Sequence, residues 1–91
     1  TWKFEEIIDW KRVKASDPDY KGSSVNVLIR WTGHEVSWEP LITDKKDGVY
    51  NTDPVTCAIF ARENDLLNDP TWRSLPGIKK ISKTHQRMIR A

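Results

Sequence analysis

At 91 residues, with 31% charged and 10% aromatic side chains, the chain has the composition of one small soluble domain rather than of a disordered segment. Its formal net charge is only +2, no signal-peptide pattern opens it, and no apolar run approaches the roughly 20 residues that a membrane span needs. A lone Cys57 allows no internal disulfide and fits a reducing compartment, and the opening Thr1 is what a piece of a longer protein would carry.

In chain order, Phe4 to Val13 mixes aromatic and β-branched residues with charges and predicts a first strand. Ile7 and Ile8 are adjacent, which breaks strict alternation; a bulge or burial on both faces would explain it. Ala15 to Ser24 carries Asp17-Pro18-Asp19 and Lys21-Gly22-Ser23-Ser24, turn chemistry that brings the chain back. Val25, Val27, Ile29 and Trp31 then recur with period two while Asn26 and Arg30 take the other face. Thr32-Gly33-His34-Glu35 supplies a tight turn and Val36 to Glu39 a returning strand. Pro40 has no N–H for a ladder, so that strand ends there or lies at an edge. Trp38 is expected in the core.

Leu41 to Thr52, centred on Asp44-Lys45-Lys46-Asp47-Gly48, is expected to be a polar loop turning at Asp47-Gly48. Asp53-Pro54 opens a helix, the aspartate as cap and the proline at the first helical position. Val55, Ala58, Ile59, Arg62 and Leu66 come next at helical spacing, Phe60 and Leu67 widen the apolar stripe, and Asn68-Asp69 stops it. Asp69-Pro70 repeats the start signal for an element that Pro76-Gly77 ends. Beyond it, Ile78, Ile81, His85, Met88 and Ile89 recur at helical spacing among five cations, predicting an amphipathic basic helix. The expectation is an α+β fold: a three-stranded antiparallel meander packed against a helix, with an additional basic helix. Residues 1–70 form the module and 71–91 the extension.

Charge divides along the same line. Residues 1–70 hold nine Lys/Arg against thirteen Asp/Glu, whereas 71–91 hold Arg73, Lys79, Lys80, Lys83, Arg87 and Arg90 with no acid. That polarity points to an anionic partner for the tail, DNA or RNA, or else to a solvated helix face. Catalytic and metal readings fail on inventory. One cysteine and two histidines, His34 and His85, cannot assemble a zinc site, and the four glycines are too scattered for a phosphate loop. The chain reads as a binding module, not an enzyme, with no cofactor.

Three segments carry a resemblance. Trp2-Lys3-Phe4-Glu5-Glu6-Ile7-Ile8-Asp9, then Leu28-Ile29-Arg30-Trp31-Thr32-Gly33, then Ser37-Trp38-Glu39-Pro40 resemble the chromodomain, over roughly residues 1–67. The stretch from Asp53 to Leu67 is similar to the segment after such modules at the C-terminal end of copia-type retrotransposon polyproteins. His34 stands where the family has an aromatic, the hairpin turn is shorter, and the loop from Leu41 to Thr52 is longer.

The resemblance implies a nuclear, chromatin-binding protein that reads methylated lysine in a histone tail. The tail would enter as an added strand, and its methylammonium would sit in an aromatic cage. By position, Trp2, Trp31 and His34 would be the cage and Glu35 an acid at its rim, with Trp10 a candidate for the missing aromatic. The alternatives are a nucleic-acid-binding module using the basic C-terminal helix, and a domain that docks on another part of its parent protein.

Overall fold

The computed structural model describes residues 4–33, 35–43 and 48–84. Strands β1 (Phe4–Arg12), β2 (Val25–Trp31) and β3 (Val36–Pro40) form one antiparallel sheet in the order β1-β2-β3, the meander that the patterning predicts. The ladder between β1 and β2 slips between Ile7 and Asp9, leaving Ile8 as the extra residue. The bulge shifts the register after it, so that Asp9 falls opposite Leu28 and Trp10 opposite Val27; Ile7 is buried and Ile8 is exposed.

Alternation along β2 sorts the two faces. Val25, Val27 and Ile29 are fully buried on the core side, with Trp10 and Glu39 opposite Val27 and Ser37 opposite Ile29. The reverse face carries Asn26, Leu28 and Arg30, and Trp38 lies opposite Leu28. Trp38 is therefore not a core residue. It is half-buried on the reverse face, with the Lys11 ammonium 4.6 Å from its ring centroid. Asn26 is fully buried on that same face because its amide donates to the Asp19 carbonyl (2.9 Å), holding the β1–β2 loop over it.

Among the described residues, the fully buried tryptophan is Trp72. It has no exposed surface, meets Trp10 edge-on at 6.0 Å and 88°, and leans on Phe60 at 5.7 Å. It belongs to α3 (Pro70–Arg73), whose cap Asp69 accepts from the Thr71 and Trp72 amides and also pairs with Arg12 of β1. Leu75 and Ile78 join the same cluster. The segment expected as an appended basic helix thus contributes core residues, and α4 (Ile78–Thr84) lies against α2 (Pro54–Glu63). His85, Met88 and Ile89 lie outside the described residues.

The stretch expected as a polar loop supplies core as well. Leu41 is fully buried, and a short helix α1 (Val49–Thr52) buries Val49 and Tyr50. Gly48 precedes it with ordinary extended dihedrals, but a Cβ there would lie 2.7 Å from the Thr43 amide nitrogen and 2.8 Å from the Ile42 Cα. Glycine is required by the close approach of two backbones, not by torsion. Asp53 then caps α2 as predicted, its side chain accepting from the Thr56 amide at 3.1 Å. The helix stops at Glu63, before Leu66. Asp65 takes φ +58°, the Leu66 amide reaches back to the Ala61 carbonyl (2.7 Å), and the Asp65 amide reaches Arg62 (3.5 Å). This is the paired 6→1 and 5→2 closure of a Schellman cap, with an aspartate where glycine is usual.

Candidate functional site

The β2–β3 turn positions the site. Gly33, at φ +103°, lets the chain reverse within a few residues, and the Trp31 amide donates to the Glu35 carbonyl at 2.8 Å to close the hairpin. Continuing the β2–β3 register from Ile29–Ser37 puts Trp31 on the same side as Glu35, Ser37 and Glu39. These residues, with Val36, line an open recess of about 380 Å³ at the hairpin end of the sheet.

The side chains are tied to one another. The Trp31 indole N–H donates to Ser37 Oγ (2.8 Å), and Ser37 Oγ–H donates to Glu39 Oε2 (2.7 Å). This relay fixes the plane of the indole and orients one carboxylate oxygen. A donor hydrogen bond ending on a carboxylate also polarises the indole toward a more electron-rich ring. Glu35 is exposed, whereas Trp31, Ser37 and Glu39 are half-buried. An aromatic ring beside two carboxylates, in a recess open to solvent, is suited to an organic cation.

Of the residues expected at a cage, Trp31 and Glu35 are brought together here, while Trp2 and His34 lie outside the described residues. Trp10 is not a wall of this recess, because its ring is spent on Trp72 and on the Arg12 guanidinium 5.0 Å away. Ser37 and Glu39 were not expected. Period-two counting along the return strand places residues 35, 37 and 39 on one face, and that signal was available.

A second concave surface is lined by α3, α4 and the turn between them. Arg73, Lys79 and Lys80 line a recess of about 250 Å³ together with Leu75, Gly77 and Ile78. Lys83 is exposed one turn further along α4, and Arg87 and Arg90 lie outside the described residues. Cys57 has no part in either surface. It is fully buried, and desolvation, with a smaller contribution from Asp53, pushes its thiol up to about 12.

No family model, curated protein or solved structure matches this chain.

Proposed function

We propose that this chain is a chromodomain-like module that reads a methylated lysine of a histone tail in the Trp31 recess and so tethers a larger nuclear protein, such as a retroelement polyprotein, to chromatin. The observation that carries the reading is the union of the Trp31 ring with the Glu35 and Glu39 carboxylates in one open recess. Methylation makes an ammonium larger and less well hydrated without removing its charge. Such a cation gains roughly 0.5–2 kcal/mol against an aromatic face. β1 and β3 are the outer strands of the described sheet, so an extended tail can add beside β3 and pass the recess.

Two carboxylates refine the expectation. Mono- and dimethyl-lysine keep an N–H that a carboxylate can accept as a charge-assisted hydrogen bond, whereas trimethyl-lysine does not. The test is titration calorimetry of the full chain with histone-tail peptides unmodified, mono-, di- and trimethylated at each candidate lysine. The reading expects one methylated peptide to bind at least tenfold tighter than its unmodified form, and Trp31→Ala to abolish that difference while the protein stays folded. Equal binding of all forms, or a Trp31→Ala variant that discriminates as the wild type does, refutes it. Trp2→Ala and His34→Ala, in the same assay, test the two remaining cage positions.

A further inference from the structure

We infer that the corner between α3 and α4 is a nucleic-acid contact surface, binding the phosphate backbone through Arg73, Lys79 and Lys80 independently of the Trp31 recess. Three cations from two elements converge there around one recess, and no carboxylate of the described residues lines it. Their placement is imposed by packing. Leu75 and Ile78 are each 2% exposed, anchoring the turn between the two helices. Ser82 is also buried, its hydroxyl donating to the Lys79 carbonyl (2.9 Å) and its own carbonyl accepting from Arg62 (3.0 Å). With positions 78, 81 and 82 turned inward, 79, 80 and 83 face solvent.

The distribution of charge selects the class of anion. A free phosphate or one phosphorylated side chain occupies a single cluster. Here exposed cations run on from Arg73 through Lys79 and Lys80 to Lys83, with Lys83 about 6 Å along the helix axis from Lys79. Residues 71–91 contain six Lys/Arg and no acid. A row of this kind matches a polymer with a phosphate every ~3.4 Å along each strand. Asp69, the cap of α3, is paired with Arg12. Recognition is by charge and spacing, so binding is indifferent to base sequence.

The experiment is fluorescence anisotropy of the full chain with a short labelled duplex of arbitrary sequence, at about 50 to 200 mM salt. Three phosphate contacts predict a slope of log affinity against log salt of about −3, rising to about −5 with Lys83, Arg87 and Arg90 engaged, so affinity drops at least ~40-fold across the range. The joint variant Arg73→Gln, Lys79→Gln, Lys80→Gln should flatten the slope by about 3, leave the melting curve in place, and leave histone-peptide affinity unchanged. A variant of equal charge loss elsewhere, Lys11→Gln with Lys14→Gln and Lys21→Gln, should keep most of the slope. Any of three results overturns the inference: no salt-dependent DNA binding, equal loss in both triple variants, or stronger binding to phosphatidylserine vesicles than to the duplex with the same sensitivity to the first variant.

Discussion

Replacing Trp72 with alanine should come close to unfolding the protein. The side chain has no exposed surface and touches rings on two different elements, Trp10 on β1 and Phe60 on α2. Large-to-small changes at such sites cost about 3–5 kcal/mol, and each lost aromatic pair adds roughly 0.5–1.5 kcal/mol. One effect runs the other way. The indole Nε1 is buried without an acceptor among the described residues, so removing it relieves a penalty of about 1–3 kcal/mol. The net loss is about 3–5 kcal/mol, against a total of about 5–14 kcal/mol for a domain of this length. Trp72→Phe, which keeps a ring and sheds the N–H, should lose much less. Trp38→Ala, on the half-buried reverse face, should cost about 1–2 kcal/mol from partial burial and the Lys11 contact. Urea denaturation followed by circular dichroism measures all three. A Trp72→Ala variant within about 1 kcal/mol of wild type, or a Trp38→Ala loss as large as that of Trp72→Ala, would refute this account of the core.

Gly48→Ala should destabilise by about 1–3 kcal/mol, because the new methyl meets backbone atoms at 2.7 and 2.8 Å that no rotamer change can move; a melt as stable as wild type would count against the approach. Burial raises both the Cys57 thiol, to about 12, and the Tyr50 phenol, whose O–H donates to the Pro76 carbonyl. Both groups ionise more readily in the unfolded chain, so stability holds below their ordinary ranges and falls as pH rises above about 8.5, by up to about 1.4 kcal/mol per pH unit for each group. Urea midpoints between pH 7 and 11 should show the decline, and Cys57→Ala should remove its onset near the thiol range. Glu39→Gln should narrow or abolish any preference for dimethyl- over trimethyl-lysine in the peptide titration, since the amide keeps the shape and loses the charge. An unchanged ratio would take Glu39 out of the recognition.

The elements that local chemistry dictates were legible in the residues. The Val25–Trp31 alternation, the Ile7-Ile8 break and the Asp53-Pro54 helix start each correspond to an observed feature. The features that escaped depend on neighbours distant in sequence. Trp38 and Trp72 are the same residue type in similarly polar stretches, and only the β2–β3 register and the docking of α3 decide which is buried. Leu41, Val49 and Tyr50 flank a run of charges that masks them, and Val49 and Tyr50 enter the core through a helix of four residues that has no periodicity to detect. The early end of α2 comes from Asp65 adopting a left-handed conformation, which its residue type permits but does not announce. At the recess, Trp31 and Glu35 came from the resemblance, whereas Ser37 and Glu39 needed the pairing of strands.

The tie between Arg12 and Asp69, with the Trp10–Trp72 contact beside it, joins the first strand to a segment made some 57 residues later. During synthesis the sheet can pair as soon as β3 has emerged, but its covered face stays incomplete until residues 69–78 leave the ribosome. Closure is therefore a late step, and it brings together parts of the chain whose ends carry the largest loop entropy. Until that step Trp10, Phe60 and Ile7 have only a partial cover and are open to wrong partners. A chain stopped at residue 70 would keep the hairpin and its Trp31 recess in sequence and yet lack the residue that seals the fold. Such a truncation should be protease-sensitive and sparingly soluble, and Asp69 together with Trp72 would act as the latch that commits the nascent domain to its final state.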